Sequence, residues 1–226
     1  MASVALSYEA LTDVDLAGRI AQRDPLAVRL VLKRNNQRLF RAAWAVLKDR
    51  ADAEDAVQEG YLKAFAAIGS FTGASSLATW LTRIVLNEAL GKKRSSQRRA
   101  RLLQQQSVAL MDDYRERQTD ISAEPSPEQE AARRQVAKLL ERAVAELPEP
   151  FRVVFVLRDV EGLSVEETAE VLGVQPQTVK TRLLRARRRL QTMLAPALQD
   201  ALQGAFPFAG KACDALTERV MAKHLA

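Results

Sequence analysis

Cysteine and histidine are almost missing from this 226-residue chain; Cys213 and His224 are the only ones. One cysteine allows no disulfide within the chain, which fits a reducing compartment. One cysteine and one histidine cannot build a Cys/His zinc site. No GxxxxGK(S/T) phosphate loop, GxGxxG turn or HExxH pair occurs, so the familiar nucleotide and zinc chemistries have no foothold. Paired acids do occur (Glu54–Asp55, Asp112–Asp113, Glu166–Glu167), but each reads as a helix start or a solvated surface. An enzyme is therefore not expected, and no catalytic residue, metal or cofactor is assigned. No uninterrupted apolar run approaches the roughly 20 residues of a membrane span, so no membrane insertion is expected. The N-terminus lacks a basic start ahead of an apolar run, and Glu9, Asp13 and Asp15 come early; the expectation is a cytoplasmic protein without a signal peptide. Alternating runs of β-branched and aromatic residues are also lacking, and helical spacing explains the short apolar piece at Val153–Leu157. The expected fold class is all-α.

What the chain has is enough apolar content for real cores, 47%, and a net charge of +6. That charge permits an anionic partner without demanding nucleic acid. The most informative stretch is Leu163 to Leu190, LSVEETAEVLGVQPQTVKTRLLRARRRL. Ser164 with Glu167 three residues on forms a capping box. Val165, Thr168, Ala169 and Leu172 fall on one helical face. Gly173 suits a left-handed helix end, and Pro176 suits the first turn of a second helix. Val179, Leu183, Ala186 and Leu190 make that helix's apolar stripe. This is the layout of a helix-turn-helix, in which Ala169 lets the helices approach and Val179 plugs the angle between them. The second helix carries Lys180, Arg182, Arg185, Arg187, Arg188 and Arg189, and no acid lies between Glu170 and Asp200. Such a helix can enter a major groove, early side chains at base edges and later arginines on phosphates.

Further upstream, Asp13 or Asp15 can start a first helix. Asp24 and Pro25 can cap and open a long amphipathic segment to Leu47, as one helix or two. Asp52 can cap the next helix, DAEDAVQEGYLKAFAAI, whose apolar stripe is Val57, Tyr61, Ala64, Phe65 and Ile68. On roughly its opposite side lie Asp55, Gln58, Glu59 and Leu62. An acidic patch with an exposed leucine in a basic protein suits docking onto a basic partner surface. Gly69–Ser76 is a loop of turn formers, and Ser75 or Ser76 caps the following helix. Thr79, Arg83 and Asn87 lie opposite that helix's core face, and Lys92, Lys93 and Arg94 begin a basic run after Gly91. Periodicity weakens from about Gln97 to Ala132, which reads as a flexible linker. A tail beyond Pro196 ends in an amphipathic pattern with Leu216, Val220 and Leu225, and Cys213 reads as a small apolar residue there.

These segments together resemble bacterial RNA polymerase sigma factors of the extracytoplasmic-function (ECF) group. DAEDAVQEGYLKAF is similar to the family's core-polymerase-binding helix. FTGASSLATWLTRIVLNEAL with the following KKR is similar to its promoter-melting and −10-reading segment. ELPEPFRVVFVLRDVEGLSVEETAEVLGVQPQTVKTRLLRAR is similar to its −35-reading domain. The resemblance implies two small helical domains joined by a flexible linker: a region 2 domain at 13–96, a linker at 97–132, a region 4 helix-turn-helix domain at 133–195, and a C-terminal extension at 196–226 of unassigned role. It implies that Asp55, Gln58, Glu59 and Leu62 meet core polymerase. It places Ser70, Thr72, Ser75, Ser76, Trp80, Arg83, Asn87, Lys92, Lys93 and Arg94 on −10 DNA, with Gly69–Ser76 holding a flipped base and Trp80 either along the opened strand or in the core. It places Gln177, Thr178, Lys180, Thr181, Arg182, Arg185 and Arg188 on −35 DNA. The implied partners are core RNA polymerase, promoter DNA and, as is common for such factors, an anti-sigma protein. The alternative from the helix-turn-helix alone is a repressor or activator that does not join the polymerase, which would usually need a dimer. A nucleic-acid enzyme lacks the necessary constellations.

Overall fold

The computed structural model describes Tyr8, residues 10–106 and residues 127–205, and among these it contains helices and no strand. Helix α1 (Asp13–Ala21) starts from Thr12, not from an aspartate: the Thr12 hydroxyl accepts from the Asp15 N–H, and the Asp15 carboxylate returns to Thr12. Asp13 instead reaches across the fold to accept the Leu77 N–H at 2.7 Å. Helix α2 (Pro25–Leu47) is a single element with Asp24 capping Leu26 and Ala27 and proline opening it, as read from the sequence. Helix α3 (Arg50–Ala66) begins three residues earlier than expected, because Asp49 and not Asp52 is the cap, and Asp49 accepts the Asp52 N–H. A 3-10 turn at Ile68–Ser70 leads into the loop before helix α4 (Leu77–Gln106).

Helix α4 runs through Gly91 and past the point where apolar periodicity fades. One glycine costs a helix only about 1 kcal/mol, and no proline or cap interrupts the Arg, Gln, Leu and Ala residues that follow. Helix α5 (Pro127–Glu146) likewise covers part of the segment read as linker. Helix α6 (Glu149–Phe155) continues through a π-turn at Val156–Val160, and helix α7 (Val165–Leu172) and helix α8 (Pro176–Ala205) complete the helix-turn-helix. Pro196 sits inside α8, so residues 196–205 prolong it. The segment with Leu216, Val220 and Leu225, together with Cys213, Asp112 and Asp113, lies outside the described residues.

Two helical units result, α1–α4 and α5–α8. In the first, Leu39, Ala42, Ala43, Val46, Ala53, Ala56, Ala64, Leu81, Val85, Leu86 and Ala89 are buried between α2, α3 and α4. Small residues dominate α3's buried face, which lets α4 lie close. Gly60 marks the tightest point: a Cβ there would sit 2.5 Å from Val85 Cγ2 and 3.1 Å from Val85 Cα. Glycine to alanine inside a helix normally gains up to about 1 kcal/mol. Here the sign is expected to reverse. Valine is stiff in a helix and cannot swing away, so Gly60→Ala is expected to lower stability by about 1–3 kcal/mol in denaturant unfolding. Val85→Ala in the same chain should recover most of the loss; a stabilised Gly60→Ala would refute the close contact.

In the second unit, Val154, Ala169, Val179 and Leu183 form one buried cluster, with Val179 fully enclosed in the angle between α7 and α8. The role read for Ala169 and Val179 from the sequence is the one they have. Gly173 takes φ +62°, and the N–H groups of Gly173 and Val174 donate to Glu170 and Ala169 carbonyls, closing α7.

The two units pack against each other. The Arg152 guanidinium on α6 is 3% exposed and donates to the carbonyls of Ala45 at 2.6 Å, Leu147 at 2.6 Å and Ala145 at 3.3 Å. It thereby joins the last turn of α2 to the end of α5.

Candidate polymerase and nucleic-acid interfaces

Helix α3 presents Asp55, Gln58, Glu59 and Leu62 to solvent, with Leu62 60% exposed. The fold brings these four together as expected, and it adds counter-charges that the sequence did not reveal. Lys92 on α4 lies 2.9 Å from Asp52 and 3.0 Å from Asp55. Lys63 lies 3.7 Å from Glu59 and 2.6 Å from Glu88, and the Glu88 contact is the main reason its pKa rises. Exposed pairs of this kind are worth about 0–1 kcal/mol each, so a basic partner can displace the lysines. Lys92, read from the sequence as a DNA contact, therefore faces the acidic patch of α3.

The loop and α4 form a second surface. Ser70, Thr72 and Ser76 are exposed, and Ser75 is half-buried. The Ser70 hydroxyl donates to the Ala67 carbonyl at 2.7 Å, and Gly73 supplies φ +76° at the bend. Ser76 is the residue that starts α4: its hydroxyl accepts the Thr79 N–H at 3.0 Å. Thr79 is 2% exposed, not solvent-facing as its spacing suggested. Its own hydroxyl donates to Glu167 of α7 at 3.0 Å. Trp80 is half-buried, with its ring edge on Phe71 at 5.6 Å. Arg83 is half-buried and lies 3.2 Å from Glu170, whereas Asn87 and Arg94 are exposed. Trp80, Arg83, Asn87 and Arg94 fall at three-, four- and seven-residue spacing and share one side of α4. Lys93 departs from this line and pairs with Glu149 of α6. Burial, followed by the nearby Arg152 and Lys48 charges, holds the Lys93 ammonium below the usual lysine range.

Helix α8 forms the third surface. Gln177, Lys180, Thr181, Arg185 and Arg188 are exposed, and Thr178 and Arg182 are half-buried. The Thr181 hydroxyl donates back to the Gln177 carbonyl at 2.9 Å, leaving its lone pairs outward. The arginine run is not uniform. Arg187 makes a two-pronged pair with Asp159 at 2.8 and 2.7 Å, which raises its pKa. Arg189 lies over the Phe151 ring at 5.4 Å. These two hold α8 to α6 and the π-turn beneath it; the remaining cations face outward. The capping box at Ser164 is formed, and the hydrogen bonds it donates to Glu167 keep that carboxyl below the usual carboxylate range.

The residues that sequence reading missed lie between the units. Glu161, only 7% exposed at its side chain, pairs with Arg38 at 3.5 Å and Arg41 at 3.3 Å. Arg38 also donates to the Glu161 carbonyl at 3.0 Å. Partners more than a hundred positions apart leave no local signal in a single sequence.

With this geometry in hand, comparison with known proteins gives a consistent result. Residues 31–99 match the family model described as Sigma-70 region 2, and residues 137–190 match Sigma-70, region 4. The chain is 30% identical over 190 residues to the RNA polymerase sigma-H factor of Pseudomonas aeruginosa, covering 84% of this chain and 97% of that one. It is also 30% identical over 190 residues to the ECF RNA polymerase sigma-E factor of Haemophilus influenzae, covering 84% of this chain and 99% of the relative. Among solved structures, the sigma factor RpoE bound to the anti-sigma factor NepR, from Bartonella quintana, aligns at a TM-score of 0.58 and 26% identity, covering 74% of this chain and 96% of that one. CnrH in complex with the cytosolic domain of CnrY aligns at 0.56 and 26%, covering 81% of this chain and 97% of that one. The two surfaces on α3 and α4 fall within the region 2 match and the outward face of α8 within the region 4 match, so the chain belongs to the sigma-70 family of RNA polymerase sigma factors, in its extracytoplasmic-function group.

Proposed function

We propose that this protein is a non-enzymatic, cytoplasmic transcription initiation factor that binds core RNA polymerase and directs it to promoters carrying particular −10 and −35 elements. The observation that carries the reading is the ordered pair of family segments, each with a surface of the right chemistry. The acidic patch with Leu62 on α3 suits docking on basic polymerase helices. The loop and the Trp80–Arg83–Asn87 side of α4 suit an unstacked strand, whose base edges are open to reading. On α8, Gln177, Thr178, Lys180 and Thr181 precede Arg182, Arg185 and Arg188, so base-edge contacts come early and phosphate contacts late. In this proposal residues 13–96 serve polymerase and −10 DNA and residues 133–195 serve −35 DNA, with 97–132 between. Joining two weak DNA contacts in one chain raises their combined affinity through effective concentration. An anti-sigma protein is the expected antagonist, in line with the complexes formed by the two structural neighbours. Among the described residues, no helix is long and apolar enough to cross a membrane and no cluster of side chains could hold a metal ion.

The test is retention of core RNA polymerase by the full chain, followed by run-off transcription from genomic fragments. Retention with promoter-specific transcripts is the expected result. DNA binding without polymerase retention would favour a free-standing repressor or activator instead.

A further inference from the structure

The loop between α3 and α4 is held at three points, and two of them belong to α1. At its start, the 3-10 turn buries Ile68, and the Ser70 and Phe71 N–H groups donate to the Ala67 and Ile68 carbonyls. At its end, Leu77 is buried and opens α4. The first N–H groups of a helix have no partner within it. Ser76 accepts the Thr79 N–H, and the Leu77 N–H goes to the Asp13 carboxylate at 2.7 Å, 64 positions away in the chain. Asp13 stands in the first turn of α1, so one carboxylate serves the positive ends of two helices. Its neighbour Val14 meets the loop at the bend. A Cβ on Gly73, which takes φ +76°, would lie 2.9 Å from Val14 Cγ2. Between these points, Thr72 to Ser75 make no hydrogen bond among the described residues. The interior of the loop has no bonding of its own, so its path is set by where it is held.

We propose that Asp13, with Val14 beside it, is a positioning residue for base selection: it touches no DNA but fixes the path on which Ser70, Thr72, Ser75 and Ser76 meet a −10 base. The proposal rests on the sigma-factor reading for what the loop holds, and on the contacts of α1 for how the loop is held. Selecting one base requires donors and acceptors kept in one geometry by the groups behind them. Serine and threonine side chains are short and cannot reach to make up for a backbone that drifts. Without Asp13, the Leu77 N–H loses its acceptor, the first turn of α4 frays, and Ser76 moves with it. Selectivity is a difference between affinities, so a loosened loop loses discrimination among bases before it loses binding. Trp80, Asn87 and Arg94 lie beyond that first turn, and the acidic patch of α3 and the outward face of α8 have no contact with Asp13.

Four full-length proteins decide the matter: the parent, Asp13→Ala, Asp13→Asn and Val14→Ala. Each is combined with core polymerase and tested by run-off transcription on a promoter found from genomic fragments, with every −10 and −35 position changed in turn. The readout is the ratio between the original promoter and each altered one. A partly unfolded chain loses transcription on all promoters alike, so this ratio separates positioning from stability. Asp13→Ala is expected to lose about fivefold or more of its discrimination at one or more −10 positions, the worth of one helix-capping bond. Discrimination at −35 should stay as in the parent. Asp13→Asn keeps an acceptor for the Leu77 N–H and should restore the parent's ratios. Val14→Ala, at a 55% exposed position that folding barely feels, should loosen the same −10 positions by a smaller factor. Unchanged −10 ratios in Asp13→Ala overturn the proposal, as does an equal loss at −35 or an asparagine variant as loose as the alanine one. If Asp13→Ala does not fold, Val14→Ala decides alone, and parent-like ratios there overturn the proposal. Hydrogen exchange on the free chains needs no polymerase: the amides of residues 70–77 should exchange about fivefold faster in Asp13→Ala than in the parent. Faster exchange in a chain whose parent gives no promoter-specific transcripts strikes the sigma reading alone, whereas unaltered exchange strikes the positioning alone.

Discussion

Arg152→Met is expected to lower the stability of the folded chain by about 3 kcal/mol or more, because three carbonyls lose their donor inside the protein. For a chain of this size, that corresponds to a fall in Tm of roughly 6–12 °C. Two effects oppose each other. Burying a guanidinium is costly, and burial alone pulls the Arg152 pKa down. Replacing a buried charge by an apolar side chain of similar volume is often neutral when its partners leave with it. Here the partners stay. The Ala45 carbonyl belongs to the last turn of α2 and the Ala145 and Leu147 carbonyls to the end of α5, where unpaired oxygens and the helix dipole both call for a cation. Methionine refills the volume and supplies no donor, so the orphaned carbonyls decide the sign. Arg152→Lys should recover part of the loss, since it keeps the charge but not the fork that reaches all three oxygens. Thermal unfolding of the three proteins reads the effect. A methionine variant as stable as its parent would show that the carbonyls find water at no cost.

The second large effect concerns the acidic patch. Asp55→Lys with Glu59→Lys is expected to reduce retention of core polymerase by at least about a hundredfold, since like charges brought together at an interface cost several kcal/mol. Both side chains are exposed, at 70% and 55%. The substitution should therefore leave thermal unfolding nearly unchanged, despite stranding Lys92 and Lys63. The neutral pair Asp55→Asn with Glu59→Gln should fall between parent and reversal. Undiminished retention of the reversed variant would remove α3 from the polymerase contact.

The helix-turn-helix was legible almost residue by residue, because each of its determinants is local. A serine and a glutamate three apart make the capping box, Gly173 takes the left-handed position, and Val179 falls where the angle must be filled. Starts of other helices were legible only where one capping residue competed. At α3, both Asp49 and Asp52 are good caps, and Asp49 won by accepting the Asp52 N–H itself. At α1, Thr12 and Asp15 form a reciprocal box, which frees Asp13 to cap α4 from a distance. Glu149, Arg152 and Glu161 gave no warning, since a charge in an amphipathic helix looks solvated until its distant partner is known. The same limit hid the destinations of Lys92 and Lys93, adjacent in sequence yet paired to different units.

The unequal fate of the α8 arginines bears on how the protein would respond to ionic strength. Of the six cations from Lys180 to Arg189, Arg187 is held by Asp159 and Arg189 is laid over Phe151. Four are left to displace condensed ions from a DNA backbone. If each neutralises one phosphate, the logarithm of duplex affinity falls against the logarithm of salt with a slope of about −3.6 instead of the roughly −5.4 that six would give. Residues that look redundant in a run of arginines thus set how steeply the −35 contact fades as the surrounding salt rises.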